Sequence, residues 1–180
     1  MGPFEHEQGE EDRGHADDPG LPEGLRVSAL QRSAQLTAQL AREIAGRQGG
    51  DEAFLAGMLK DVGTLALLPL ARERLAAVYQ HDFAGGQQRL EVERKVFGAT
   101  LSEVGAYLLS LWGLQPAVVD AVRNRYGPVH ALDVNGAVSL ASALVDEDQG
   151  AKDRVDASGL ERSGLAGKLP GWRTRLDEIK

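Results

Sequence analysis

The sequence contains no cysteine, and only 5% of its 180 residues are aromatic. The absence of cysteine excludes disulfide bonds, thiolate zinc sites and thiol nucleophiles. We find no apolar run of the roughly 18–20 residues that would span a bilayer. The acidic N-terminus also lacks the apolar stretch of a secretory signal. These absences predict a cytoplasmic protein with no membrane partner.

The negative charge lies almost entirely at one end of the chain. The net charge is −7, and residues 1–24 alone hold eight acidic residues and one basic residue. Low hydrophobicity with high net charge is typical of disordered chain, so we predict a disordered acidic tail over residues 1–24. Residues 25–180 are then electrically neutral and are predicted to form one helical domain. A neutral domain argues against general nucleic-acid binding, which needs clustered lysine and arginine.

The apolar residues of this domain recur at helical spacing, and no segment alternates with the period of a strand. The pattern predicts an all-α fold, a compact bundle of seven or eight helices. Gly57 and Gly63 interrupt the most apolar helix and indicate close approach of neighbouring backbones. Thr100 and Glu103 have the spacing of a capping box at the start of a later helix. Trp112 and Trp172 stand at helical spacing with other apolar residues and are both expected in the core.

Several motifs resemble those of one known family. Residues 53–63 read AFLAGMLKDVG, and members of the HDOD family, the HD-related output domains of bacterial signalling proteins, read close to AFLAGLLHDIG. Four further segments agree with the family in order: LQRSAQLTA at 30–38, residues 91–105 with EVE at 91–93 and FGATLSEVG at 97–105, LSLWGLQP at 109–116, and residues 118–128, which contain Arg125 and Tyr126. The resemblance covers about residues 28–145 and implies the helical core of the HD superfamily. The helical half that precedes this core in a full HDOD domain is missing, which indicates a fragment, a minimal variant or one module of a longer protein.

The resemblance also implies where a metal centre would lie. Catalytic members of the HD superfamily hold divalent metal through histidine and aspartate, which must bind the metal while it activates water. The corresponding positions of this sequence carry Arg32, Lys60, Asp61, Leu101, Arg125, Tyr126 and Ser142. Asp61 alone is of a ligand type. We therefore expect no metal, no cofactor and no catalytic residue.

The residues at the former metal positions allow two interpretations. If the helices pack as in the family, Arg32, Lys60 and Arg125 converge on Asp61. The favoured interpretation is a salt-bridge cluster that neutralises Asp61. The alternative is an anion pocket for phosphate, a nucleotide or a partner's carboxylate. A literal His-Asp pair at His81 and Asp82 follows a helix and is expected in a loop, exposed like His130, rather than in a catalytic site.

The favoured function is a non-catalytic signal-transduction module that acts through protein–protein contacts, with possible self-association. The alternatives are a divergent HD-type phosphohydrolase and a sensor that binds a nucleotide or another anion through Arg32, Lys60 and Arg125. The acidic tail is expected to be a linker, and an arm that folds back on this basic cluster is the alternative. The sequence leaves open the identity of the partner and of the input signal.

Overall fold

The computed structural model describes residues 19–81, 83 and 85–180, so most of the predicted tail lies outside the described residues. Within this part of the chain the structure contains α-helices and short 3-10 turns, and the all-α prediction is confirmed. The α-helices are α1 (Val27–Ala45), α2 (Gly50–Leu59), α3 (Val62–Tyr79), α4 (Gly86–Phe97), α5 (Leu101–Leu111), α6 (Pro116–Arg123), α7 (Val134–Asp148), α8 (Ala157–Arg162) and α9 (Leu169–Ile179).

The main core lies where α1, α2, α6 and α7 meet. Helix α1 packs along α2 and α7, and α6 packs against α2, α5 and α7. Leu40 of α1, Val122 of α6 and Leu144 of α7 are among its fully or almost fully buried side chains. Removing such apolar surface from water is the main force that stabilises a bundle of this kind.

Two glycines set the distances between helices, as the sequence predicted. A Cβ atom on Gly57 would lie 2.6 Å from Cα of Ala38 in α1. A Cβ atom on Gly63 would lie 2.0 Å from the carbonyl oxygen of Leu101 and 2.7 Å from the backbone nitrogen of Gly105. All three distances are too short for any side chain. The prediction of close backbone approach is confirmed, and the two contacts fix the chain on either side of residues 60 and 61.

The most apolar segment of the chain is divided into two helices well before Pro69. The helix ends at Leu59 and begins again at Val62, and Asp61 between them has φ −105° and ψ 10°. Pro69 lies inside α3, which is kinked at Ala71 (φ −143°, ψ 38°). The kink therefore lies two residues after the proline, and a second helical run continues from it to Tyr79.

The capping signals in the sequence act as expected. The Thr100 side chain accepts a hydrogen bond from the Glu103 backbone N–H, and the Glu103 carboxylate accepts one from the Thr100 N–H at 2.7 Å. Asp133 accepts from the Gly136 N–H at the start of α7, and Pro116 occupies the first turn of α6. These contacts satisfy backbone donors that helix starts leave unpaired.

Two sequence predictions need correction. Leu21 lies within the predicted tail but is only 4% exposed, and it packs with Leu25, Leu75 and Leu101 in a second apolar cluster. The described chain therefore joins the core before residue 25. Trp112 is 61% exposed, so its predicted core role is wrong, whereas Trp172 is partly buried against the main core.

The segment Gly50–Tyr79 includes an 18-residue window with a mean hydropathy of 1.5, which is long and apolar enough to cross a bilayer by composition. The expectation that the sequence has no such apolar run is therefore corrected. The core helix of a soluble bundle satisfies the same criterion. Here α2 packs on α1, α6 and α7, and α3 packs on α5. Charged residues also interrupt the segment at Lys60 and Asp61, where α2 and α3 meet.

Candidate functional site: a buried ion cluster and its cavity

Asp61 lies at the junction of α2 and α3 and is 4% exposed. Its carboxylate contacts two cations that are buried to the same extent, Lys60 and Arg125. Arg125 Nη1 donates to Asp61 Oδ1 at 2.6 Å, and Lys60 Nζ donates to Asp61 Oδ2. Each carboxylate oxygen therefore has its own cationic partner. Lys60, Asp61 and Arg125 together are the ion cluster.

The two cations determine the protonation state of Asp61. Burial by itself would raise the pKa of this carboxyl, but the charges and hydrogen bonds of Lys60 and Arg125 outweigh burial and lower the pKa well below its usual range. The pKa of Lys60 is lowered too, which for an ammonium group disfavours the charged form. Burial, aided by the charge of Arg125, lowers the pKa of the Lys60 ammonium even though Asp61 acts to raise it. Asp61 is a fixed anion, and Lys60 is the cation of the cluster whose pKa is lowered.

Tyr126 connects Asp61, Lys60 and Arg125 to a group of three arginines around its ring. This group, Arg89, Arg125 and Arg154, is the arginine stack. Arg125 Nη2 donates to the Tyr126 hydroxyl at 2.6 Å, and the Arg125 guanidinium lies 4.5 Å from the centre of the Tyr126 ring. Arg154 lies 4.4 Å from the same ring, and Arg89 lies 5.8 Å from it. Burial raises the pKa of Tyr126 to about 12, against the lowering effect of Arg125 and Arg89. The phenol is therefore neutral at ordinary pH.

Two arginines of this stack did not emerge from the sequence. Arg89 Nε donates to Glu93 Oε1 at 2.8 Å, and Glu93, which is fully buried, also accepts from the Leu101 N–H at 2.9 Å. Arg154 Nε donates to Asp146 Oδ2 at 3.0 Å. The four-residue spacing of Arg89 and Glu93 is a sequence signal for the first pair. No local spacing brings either arginine to Tyr126, because they come from α4 and from the segment between α7 and α8.

A cavity of about 600 Å³ opens beside the ion cluster. Its walls include the cluster, the arginine stack, Tyr79 and Phe83, and Glu23 and Gly24 near the start of the described chain. Among the described residues, the wall holds the cations Arg32, Lys60, Arg89, Arg125, Arg154 and Lys180 and the carboxylates Glu23, Asp61, Asp146 and Asp148.

The structure assembles only part of the predicted cluster. Arg32 lies on the cavity wall but is exposed, and within the described chain the ion pairs of Asp61 come from Lys60 and Arg125. The prediction that three cations converge on Asp61 is therefore corrected to two. Leu101 is buried in the second apolar cluster. Ser142 is 1% exposed in α7, and its hydroxyl has no hydrogen-bond partner in the described part of the chain.

The two histidines outside the tail, His81 and His130, are exposed, and His81 lines the cavity. His81 is exposed after α3, lines the cavity and contacts the ring of Phe83, with the centroids 5.9 Å apart. Asp82, its partner in the literal His-Asp pair, lies outside the described residues. His130 is exposed in a loop. In the described ranges, no group of three or more histidine, aspartate or glutamate side chains is placed to hold a metal ion.

The HDOD domain family matches residues 16–128, which is more than half of the chain. The chain belongs to the HDOD domain family. The match begins at residue 16, inside the segment predicted to be a tail, and so agrees with the burial of Leu21. No curated protein matches this HDOD domain significantly.

Two crystal structures share the fold of this HDOD domain. One, from Shewanella amazonensis SB2B, is described as a phosphohydrolase; it is 23% identical with a TM-score of 0.63, and the match covers 87% of this chain and 61% of that one. The other, from Marinobacter aquaeolei VT8, is described as a signal transduction protein; it is 21% identical with a TM-score of 0.65, and the match covers 93% of this chain and 38% of that one. The HDOD domain thus spans less than two thirds of either neighbour.

The residues of this HDOD domain do not fit the metal centre of the HD superfamily. Asp61 is the one carboxylate at the superfamily's ligand positions, and both of its oxygens are bound by cationic side chains. Lys60 and Arg125 present protonated nitrogens where a metal ligand must offer a lone pair. Their charges would also repel a divalent cation. The salt-bridge interpretation describes the observed geometry.

Proposed function

We propose that this HDOD domain is a non-catalytic, cytoplasmic signal-transduction module that acts through protein–protein contacts. One observation carries the proposal: both oxygens of Asp61 are bound by Lys60 and Arg125. Hydrolysis at an HD-type centre needs a metal that lowers the pKa of a bound water, and the metal needs free carboxylate and imidazole ligands. The ion cluster takes up the carboxylate for an internal structural role.

The cost of opening the cluster supports this proposal. All three charged residues are 4% exposed, so a metal that bound Asp61 would leave Lys60 and Arg125 buried without a counter-charge. Removing one partner of a buried ion pair typically costs about 3–5 kcal/mol. A metal would have to offset that cost as well as the repulsion from both cations.

Exposed apolar side chains support the part of the proposal that concerns protein contacts. Tyr107 and Leu111 of α5 and the adjacent Trp112 are 63%, 64% and 61% exposed, and Leu70 of α3 is 80% exposed. Helices α3 and α5 pack against each other. Tyrosine and tryptophan are enriched at the centres of protein interfaces because they bury a large area at low entropic cost.

Metal analysis with an activity assay tests the non-catalytic claim. The full chain is incubated with Mn²⁺, Fe²⁺ and Zn²⁺, desalted and analysed by mass spectrometry, and hydrolysis of bis(p-nitrophenyl) phosphate is measured. We expect bound metal well below one equivalent and the same turnover in the wild type and in Asp61→Asn. Stoichiometric metal with turnover that Asp61→Asn abolishes would establish the alternative, a divergent phosphohydrolase.

A second comparison tests the claim of protein contacts. Wild-type chain, a Tyr107→Ser/Leu111→Ser double variant and Arg123→Gln are used as bait in the native host. We expect one or more proteins to be retained by the wild type and by Arg123→Gln, an exposed control, and to be lost with the double variant. Equal retention by all three chains would remove this surface from the proposal.

A further inference from the structure

Three guanidinium groups surround one aromatic ring in the cavity wall. Arg154, Arg125 and Arg89 lie 4.4, 4.5 and 5.8 Å from the centre of the Tyr126 ring. The arginines come from three separate segments of the chain. Such a concentration of like charge is stable only if counter-charges offset it. The wall must therefore be balanced by carboxylates or by an anionic ligand.

The carboxylates balance this charge incompletely. Arg89 pairs with Glu93, Arg154 pairs with Asp146, and Arg125 pairs with Asp61. Lys60 shares Asp61 with Arg125, so one buried positive charge has no carboxylate of its own. Over the whole described wall, six cationic side chains face four carboxylates. Outside the wall, Glu93 pairs with Arg89 and Asp177 pairs with Lys180. The uncompensated positive charge is therefore local, at Asp61, which Lys60 and Arg125 share.

Arg125 also has an unused donor. Its Nη1 and Nη2 groups donate to Asp61 and to the Tyr126 hydroxyl. Its Nε is buried and has no hydrogen-bond partner among the described residues. Leaving a buried donor unpaired costs about 1–3 kcal/mol, and more when the group is charged. Arg125 is 4% exposed and is one of the residues that line the cavity, so an acceptor that reached Nε from the cavity would remove this cost.

We propose that this cavity binds the phosphate group of a small phosphorylated ligand of about nucleotide size. Guanidinium groups suit phosphate, and groups that converge from separate segments match its non-coplanar oxygens better than they match a flat carboxylate. The volume of about 600 Å³ lies within the range of small-molecule sites, roughly 300–1,000 Å³. The proposed site is inferred from the side chains of the cavity wall. It goes beyond the proposed function, because it needs no protein partner.

Calorimetric titration of the full chain tests the site, with inorganic pyrophosphate and ATP as probes at low ionic strength. We expect saturable one-site binding of at least one probe by the wild type. Arg125→Lys, which keeps the positive charge but loses the guanidinium donors, should weaken binding by about tenfold or more. Arg32→Gln removes an exposed cation of the wall and should weaken binding by about two- to fivefold.

Arg123→Gln is the matched control, because Arg123 is 49% exposed and lies outside the cavity wall. Its affinity should equal that of the wild type. Circular dichroism shows whether each variant is folded. If Arg125→Lys is unfolded, the comparison of Arg32→Gln with the wild type tests the proposal. The proposal is overturned if neither probe binds the wild type, or if Arg32→Gln and Arg125→Lys bind as the wild type does. An equal loss in Arg123→Gln would overturn it too.

A synthetic peptide of residues 1–18 separates phosphate from carboxylate recognition. This segment is acidic, and the described chain that follows it lines the cavity at Glu23 and Gly24. We expect the phosphate probes to bind whether or not the peptide is present. Binding of the peptide with no binding of pyrophosphate or ATP would overturn the proposal, since the cavity would then be a site for the chain's own carboxylates.

Discussion

Arg125 Nη1 donates to Asp61 Oδ1 at 2.6 Å, although the two residues are 64 positions apart in the sequence. The contact joins the α2–α3 junction to the segment after α6, and both residues are 4% exposed. A buried ion pair thus holds two distant segments together, at positions where the resemblance to the HD superfamily implies metal ligands. The pair is a structural element whose removal should be measurable in stability.

Asp61→Asn should lower the free energy of unfolding by about 3–5 kcal/mol, because it leaves Lys60 and Arg125 buried without a carboxylate. Urea denaturation measures the change. Asp120→Asn is the control: Asp120 and Arg123 form a pair at 3.5 Å in which both side chains are 49% exposed. Exposed pairs contribute about 0–1 kcal/mol. Similar losses in the two variants would contradict the buried cluster.

The stability difference between the wild type and Asp61→Asn should depend on pH. Lys60 and Arg125 overcome the effect of burial and lower the pKa of Asp61 in the folded state. A lowered carboxyl pKa contributes stability above the unfolded-state value of about 3.9, and that stability is lost as the pH falls further. The difference between the two chains should be constant from neutral pH to about pH 5 and should shrink below about pH 4. Urea denaturation across this range measures it, and a difference that does not change would contradict the predicted pKa.

Gly63→Ala should destabilise the fold by about 2–4 kcal/mol, since the new Cβ would lie 2.0 Å from the Leu101 carbonyl oxygen and the backbones must separate. Gly171→Ala is the matched control in α9, where a Cβ would meet nothing within 4 Å. It should leave stability unchanged or raise it by up to about 1 kcal/mol, because alanine favours the helix. Thermal and urea denaturation compare the two, and a harmless Gly63→Ala would refute the close contact of α3 with α5.

Trp112→Ser should change the free energy of unfolding by less than about 0.5 kcal/mol, because Trp112 is 61% exposed and surface substitutions have small effects. Leu109→Ala, three residues earlier, removes a side chain with no exposed area. It should cost about 2–5 kcal/mol by leaving a cavity in the core. If Trp112→Ser proved the more damaging of the two, the exposed position of Trp112 would be refuted.

The elements of the fold that depend on local pattern could be read from the sequence. The helical period of apolar residues predicted the all-α class, and the Thr100–Glu103 spacing predicted a capping box that the structure contains. Gly57 and Gly63 marked both close helix contacts, because a glycine that costs helix stability is retained where no Cβ fits. The motif around residues 53–63 also identified Lys60 and Asp61 as neighbours of Arg125.

Other features depend on contacts between distant segments, and only the tertiary structure decided them. Arg32 and Trp112 illustrate the limit, since helical period says which residues share a face but not whether another helix covers that face. The arginine stack on Tyr126 is assembled from three segments, so no spacing in the sequence reveals it. The sequence by itself determined the helical class and the helix boundaries near caps, because these follow from residue type and local geometry. Packing decided which cations reach Asp61 and where a cavity remains, because burial and charge pairing are properties of the assembled chain.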